Sequence, residues 1–247
     1  MSEANLSVAG RSAFAEHAHA TASEQRAASV GERALIVGEI VSVISSALLA
    51  EWPLLALNEW YGSVLLVPVA LAFALIITSQ RLRGETAREL GLASTNFARA
   101  LRLLAPLMCG GALLPVAVGW LRFGMRPTWE RTHGGWALVA FALWGGVWGF
   151  VQQYALQAFI NRRLQMLWGA GWRTTLVVAA LFALLHLPNP ALMVATFAGG
   201  LIWAWVYQRA PNLWALAISH AVMTWVLIAT LPAGVLAGLR VGYRYFG

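Results

Sequence analysis

Six polar side chains in the second half of an otherwise apolar chain are of types that could support catalysis. They are Gln152, Gln153, Gln157, His186, His220 and Thr224. Imidazole accepts and releases protons near neutral pH, whereas a glutamine amide has no usable basicity and can only orient water or donate hydrogen bonds to an oxyanion. The set therefore predicts a functional polar site, in which a histidine is the side chain able to serve as a base.

The spacing of these side chains places them on common helix faces. Gln153 and Gln157 are four residues apart, as are His220 and Thr224, and such pairs share one face of an α-helix. Interhelical hydrogen bonding, worth about 0.6 kcal/mol on average in membranes, is an alternative role and the better interpretation for Gln152 or Thr224 taken alone. Two histidines on separate helices beside a glutamine pair favour a functional site.

The composition indicates which environment must hold these groups. Sixty per cent of the residues are apolar and only 11% are charged, against about 25% charged in soluble domains. An ordinary soluble enzyme and a disordered chain are therefore excluded. The net charge of +7 comes entirely from Arg between long apolar runs, which favours anionic membrane lipid, and not nucleic acid, as the partner.

The apolar runs predict an all-α, polytopic transmembrane helix bundle, because lipid forces each spanning segment to satisfy its own backbone hydrogen bonds. A span needs about 20 apolar residues, and about seven candidates meet or approach that length. They are residues 34–57, 61–78, 100–121, 136–159, 174–187, 191–207 and 213–231.

The rest of the chain organisation follows from these runs. Residues 1–30 contain few large apolar side chains, so we expect a disordered tail followed by one transmembrane domain over residues 31–247. With seven spans, a cytoplasmic N-terminus places most Arg residues on the cytoplasmic side, as the positive-inside rule requires. The single cysteine, Cys109, lies in an apolar run, and we expect it to be buried.

The region from about 141 to 227 resembles the CPBP family of intramembrane endopeptidases, which includes CAAX prenyl proteases and lysostaphin-resistance-type membrane proteins. That family has a Glu-Glu-x-x-x-Arg motif, a Phe-x-x-x-His motif and a His-x-x-x-Asn or Asp motif. Phe182 and His186 match the second motif, and His220 matches the histidine of the third. Residues 85–92 and 207–215 are also similar to family segments.

The chain departs from the family pattern at the motif residues that take part in catalysis in the family. Gln152 and Gln153 replace the two acids, Gln157 replaces the arginine, and Thr224 replaces the final Asn or Asp. In the family the first glutamate is taken to activate a water. A buried arginine left without its acids would destabilise the fold by about 3–5 kcal/mol. The loss of acids and arginine together therefore indicates a coordinated exchange of an ionic cluster for an amide cluster.

Two functions fit the resemblance. In the first, the protein is an active intramembrane endopeptidase acting on membrane-embedded or lipidated peptides. One of His186 and His220 would be the base, while the other and Gln152 or Gln153 would stabilise the oxyanion. In the second, it is a catalytically inactive relative, a membrane peptide- or lipid-binding scaffold or an immunity-type protein. The lost acids favour the second function and the two histidines favour the first; either would act in a bacterial inner membrane.

Other classes of function have less support. Neither a Gly-x-Ser-x-Gly elbow nor a His-Glu-x-x-His zinc helix occurs, and a metal site could recruit only His186, His220 and Glu39, which is too few for a catalytic zinc ion. We therefore expect no metal and no cofactor. Glu39 could instead orient a histidine, although an acid at the membrane edge is the better interpretation. Inverted repeats, typical of transporters, are absent from the sequence.

Overall fold

The computed structural model of the protein describes residues 29–56, 66–124 and 136–247, and no β-strand occurs within those ranges. The all-α class predicted from the apolar runs is thereby confirmed. Most of the predicted N-terminal tail, residues 1–28, lies outside the described residues, as do the loop residues 125–135, which include His133.

The chain divides into two compact units, Met1–Val41 and Ser42–Gly247. The described part of the first unit is the beginning of helix α1 (Ser29–Glu51), where Ile36 and Glu39 are buried. All six predicted site residues belong to the second unit, and the description that follows concerns that unit.

The described ranges of the second unit consist mainly of helices. Its longer elements are α2 (Pro53–Ala56), α3 (Leu66–Leu82), α4 (Phe97–Phe123), α5 (Trp136–Gln153), a π-helix (Tyr154–Asn161), α6 (Arg162–Trp168), α7 (Trp172–Leu184), α8 (Pro190–Arg209), α9 (Leu213–Thr230) and α10 (Ala233–Leu236). Short 3₁₀ turns precede α4, at Ser94–Asn96, and follow α10, at Ala237–Leu239 and Gly242–Phe246.

Several of these helices are suited to a bilayer. By length and composition the candidate spans in the described ranges are Ser29–Glu51, Ser94–Phe123, Pro190–Arg209 and Leu213–Thr230, and the apolar helices Leu66–Leu82 and Trp172–Leu184 are shorter. These helices support a membrane-embedded protein. The count of seven spans stays a prediction.

Two of the predicted boundaries and one burial prediction differ from the structure. The fourth helical segment does not end at residue 159 but continues through the π-helix and α6, because side chains from other helices contact its polar residues. The fifth ends at Leu184, before a turn that contains His186. The expected burial of Cys109 is wrong: it is exposed on α4, where an apolar run covers an outer surface.

Asparagine side chains cap the N-termini of α8 and α9. Asn189 Oδ1 accepts a hydrogen bond from the Leu192 amide at 3.1 Å, and Pro190 occupies the first turn of α8. Asn212 Oδ1 accepts from the Ala215 amide at 2.9 Å at the start of α9. Such caps satisfy amides that have no intrahelical acceptor, and they determine where the helix that carries His220 begins.

The segment between α3 and α4 packs on the turn between α8 and α9. The Leu213 amide donates to the Gly91 carbonyl at 2.8 Å, and the Asn212 Nδ2 group donates to the Ala93 carbonyl at 2.9 Å. Gly91 has a φ of 76°, and a Cβ there would lie 2.9 Å from the Asn212 nitrogen. Only glycine tolerates that conformation and that approach. The segment thus positions the N-terminal end of α9.

A close approach between α4 and α9 should make the fold sensitive to one methyl group. A Cβ at Gly119 would overlap the Thr230 carbonyl oxygen, whereas a Cβ at Gly110 in the same helix would have no neighbour within 4 Å. We expect Gly119→Ala to lower the free energy of unfolding by about 1–3 kcal/mol, as other overpacked substitutions do. Thermal unfolding in detergent, with Gly110→Ala as the matched control, would measure it; equal stability of the two variants would contradict the packing.

Candidate functional site

A cavity of about 810 Å³ opens between the helices of the second unit. Its lining is mostly aliphatic, and four of the six predicted side chains contribute to the lining. They are Gln152, His186, His220 and Thr224. Residues from three separate helical segments therefore meet at one apolar cavity, which is the kind of site that binds an apolar ligand through a few polar groups.

His186 is held in a defined tautomer by the helix it follows. Its Nδ1 lies 2.7 Å from the Phe182 carbonyl oxygen, and the two rings meet edge to face with centroids 4.8 Å apart. A carbonyl oxygen only accepts, so Nδ1 must carry the proton and donate it. In the neutral ring Nε2 is then the nitrogen with a free lone pair, and it can take a proton.

His220 is held in the opposite tautomer. The Gln153 Nε2 group donates to His220 Nδ1 at 3.2 Å, so the proton of the neutral ring resides on Nε2. The Trp203 indole stacks on the His220 imidazole with ring centroids 4.8 Å apart, and the indole Nε1 donates to Ser219 Oγ at 2.8 Å. His220 is therefore fixed by contacts from α5 and α8, with a donor on Nε2.

The two imidazoles share one aromatic neighbour. The Phe182 ring centroid lies 4.8 Å from that of His186 and 5.9 Å from that of His220, each in an edge-to-face arrangement. Gly149 allows α5 to approach α9, because a Cβ there would lie 3.2 Å from the Ala217 carbonyl oxygen and 3.5 Å from the His220 Cβ. Phe182 packs against both imidazoles at the wall of the cavity.

The glutamines of the predicted site occupy different positions. Gln152 lines the cavity, and its Oε1 is buried with no hydrogen-bond partner in the described part of the chain. Gln153 is fully buried behind His220. A buried carbonyl oxygen without a partner is unfavourable, so the Gln152 amide is available to a water or to a substrate N–H group.

Gln157 lies away from the cavity, in an amide network. Its Oε1 accepts from Asn161 Nδ2 at 2.8 Å, and Asn161 Oδ1 in turn accepts from Gln165 Nε2 at 3.0 Å and from Gln208 Nε2 at 3.2 Å. Gln157 and Asn161 are both fully buried. The network links the π-helix to α6 and α8 through Asn161, and Gln157 joins it by its bond to Asn161, outside the lining of the cavity.

The π-helix contributes residues both to the cavity and to this network. Residues Tyr154–Asn161 form eight residues of π-helix inside the continuous segment from α5 to α6. Such insertions are rare and occur frequently at functional sites. Here the wider turn follows directly after Gln153. Its residues Ala155, Leu156 and Ile160 line the cavity, whereas Gln157 and Asn161 join the amide network.

A buried ionic cluster, not predicted from the sequence, anchors the same helix. Arg163 is fully buried and donates to both carboxylate oxygens of Glu85, at 3.0 and 3.2 Å, and to Ser79 Oγ at 2.9 Å. Arg162 Nε also donates to Glu85, at 2.9 Å. The pairing across 78 residues left no local signal in the sequence. It ties the segment after α3 to the start of α6.

A second residue that the predicted site did not include is Glu51, at the end of α1. It lines the same cavity as His186 and His220. Glu39 belongs to the other unit. Of the residues that the structure describes, no three His, Cys or Glu side chains lie close enough to hold one metal ion. The site is therefore built from imidazole, amide, hydroxyl and one carboxylate.

The comparisons with known proteins agree with the motif resemblance. Residues 134–226 match the family model of the type II CAAX prenyl endopeptidase Rce1-like proteins. The match coincides with the core at about 141–227 that the motifs indicated and contains all six predicted site residues, so the resemblance of this part of the chain to that family is confirmed. No curated protein and no solved structure matches the chain.

Proposed function

We propose that this protein is an intramembrane endopeptidase that hydrolyses peptide bonds of membrane-associated substrates with a site of histidine and glutamine side chains. The match of residues 134–226 to a CAAX prenyl endopeptidase family supports a membrane peptide hydrolase. The observation that carries the proposal is the pair of imidazoles at one cavity, each held in a different tautomer by its own partner.

The first step is attack by water. His186 Nε2 takes a proton from a water molecule, whose oxygen forms a bond to the scissile carbonyl carbon while the carbonyl π electrons move onto oxygen. Gln152 Oε1, which has no acceptor or donor partner in the described ranges, can hold the second hydrogen of that water. A neutral amide in place of the family's glutamate thus orients the water without removing its proton.

The second step is collapse of the tetrahedral intermediate. His220 Nε2–H and the Gln152 amide N–H groups donate hydrogen bonds to the oxyanion, and Gln153 holds His220 in the tautomer that can do so. The protonated His186 then delivers its proton to the leaving nitrogen as the C–N bond breaks. Two histidines with fixed and opposite tautomers can therefore divide base and oxyanion roles.

The experiment that tests the proposal compares cleavage of a panel of fluorogenic membrane peptides, prenylated and unprenylated, by purified protein in vesicles. We expect cleavage by the native protein and loss of cleavage in a His186→Ala/His220→Ala variant. A Gln152→Glu/Gln157→Arg variant restores the family's residue types and serves as the comparison.

Two results would contradict the proposal. Cleavage by the Gln152→Glu/Gln157→Arg variant alone would show that the amide site is inactive on peptides that the fold can bind. Native cleavage that persists without both histidines would place the reaction elsewhere in the molecule. Circular dichroism and size-exclusion profiles of each variant control for loss of fold.

A further inference from the structure

Glu51 is the single carboxylate among the described residues that line the cavity. The other titratable side chains in that lining are His186 and His220. Glu51 Oε2 is buried and has no hydrogen-bond partner in the ranges that the structure describes. By contrast, the buried carboxylate of Glu85 is fully paired by two arginines. Within the described ranges Glu85 therefore has its counter-charges and Glu51 has none.

The C-terminal segment holds Glu51 at the wall of the cavity. Gly242 packs so closely on Glu51 that a Cβ there would lie 2.9 Å from the Glu51 Cβ, and the Gly242 amide donates to the Leu187 carbonyl at 2.7 Å. Asn189 Nδ2 donates to the carbonyls of Leu236 and Arg240 at 2.9 and 3.0 Å. One segment thus connects Glu51 to the turn that contains His186.

The position of Glu51 along its helix places it near a membrane surface. It is the last residue of α1, a candidate span of 23 residues, whereas His220 lies near the middle of α9 and Gln152 near the middle of the continuous helical segment from α5 to α6. Membrane peptides carry Arg and Lys just outside their apolar stretch, at the level of the interface. A peptide whose apolar part fills the cavity can therefore bring a basic side chain to Glu51.

An unpaired carboxylate in apolar surroundings is unfavourable until a cation reaches it. A guanidinium or ammonium group would form charge-assisted hydrogen bonds, which are stronger than neutral ones. In the described residues no arginine or histidine forms a salt bridge with Glu51. The missing counter-charge is therefore left for a ligand to supply.

We propose that Glu51 determines specificity, and that it selects peptides with a basic side chain next to the apolar segment that occupies the cavity. This inference rests on the proposed peptidase function, since it assigns the substrate class of the same site. A direct role as the base that activates water is less favoured, because in the described structure neither imidazole lies within 4 Å of the Glu51 carboxylate.

The test uses fluorogenic apolar peptides that differ in one residue at the flank of the apolar stretch, Arg, Gln or Glu, with full-length protein in phosphatidylcholine vesicles. We expect the native protein to favour the Arg peptide over the Gln peptide by about 10- to 100-fold in kcat/KM, the range for a buried charged hydrogen bond. Glu51→Gln should remove that preference, and Glu51→Arg should shift it to the Glu peptide. Glu89→Gln, which changes an exposed acid outside the cavity, is the matched control.

Other outcomes overturn the inference. Equal kcat/KM for all three peptides in the native protein would show that Glu51 does not select peptides by their charge. An equal fall in kcat for every peptide in Glu51→Gln, with KM unchanged, would assign a catalytic role instead. If the native protein cleaves no peptide, the proposed function fails, and fluorescence anisotropy of the same peptides decides the inference separately. Tighter binding of the Arg peptide that Glu51→Gln abolishes would support it, and equal affinities would overturn it.

Discussion

Replacement of His186 by Asn is expected to lower kcat for peptide cleavage by about 10²- to 10⁴-fold, the usual contribution of a general base. Asn Nδ2 can still donate to the Phe182 carbonyl that now accepts from His186 Nδ1 at 2.7 Å, so the turn is preserved. What is lost is the lone pair on Nε2. Because the substrate contacts the apolar lining and not the base, KM should change little.

Variants of the second histidine distinguish the two roles. His220→Ala removes the proposed oxyanion donor and should lower kcat by about 10²- to 10³-fold. Gln153→Leu leaves His220 in place but removes the 3.2 Å hydrogen bond that selects its tautomer, so a smaller loss is expected. Steady-state kinetics in vesicles measure all three. A His186→Asn protein with the kcat of the native enzyme would show that His186 is not the base.

Replacement of Glu85 by Ala is expected to lower the free energy of unfolding by about 3–5 kcal/mol, because it leaves the buried Arg163 guanidinium without its carboxylate. The Arg163 side chain has 0% of its surface exposed and that of Glu85 has 3%, so water cannot replace the lost partner. Ser79 Oγ at 2.9 Å and Met166 Sδ at 3.8 Å are neutral acceptors and do not replace the lost negative charge. Unfolding in SDS or by heat would measure the loss.

Two further variants test the physical reason for that loss. Glu85→Leu/Arg163→Met replaces both buried charges by apolar groups of similar size and should recover most of the stability, since no fully buried charge is left unpaired and Arg162, with 21% of its side-chain surface exposed, can be hydrated. Glu89→Gln is the surface control: hydrogen bonds from the Thr86 amide and hydroxyl hold the pKa of Glu89 below its ordinary value, but the carboxylate is exposed. If Glu85→Ala and Glu89→Gln unfold alike, the buried pair is not a major source of stability.

How far the site could be predicted differs from residue to residue. His186, His220, Gln152 and Thr224 were found as a set, because the apolar runs around them made each polar group conspicuous and the motif spacing related them. They do line one cavity. Gln157 was grouped with them on the helical repeat and on its place at the arginine of the Glu-Glu-x-x-x-Arg motif. The π-helix and Asn161 direct it into the amide network instead.

The amino-acid sequence by itself determined the environment and the helical class. Few charges and long apolar runs require helices that satisfy their own hydrogen bonds. The motif spacing indicated the related family over about residues 141–227, and the family model matches residues 134–226. These properties are local, since each depends on residues that are neighbours along the chain or along one helix.

The tertiary structure alone decided which acid reaches the cavity and which buried charge is paired. Glu51 lies more than 130 residues before the histidines in the sequence and meets them only through the packing of α1 and the C-terminal segment. Glu85 and Arg163 are 78 residues apart and pair because the segment after α3 returns to α6. No local pattern encodes such contacts, because they arise from how the helices pack, and packing depends on side-chain shape along the whole chain.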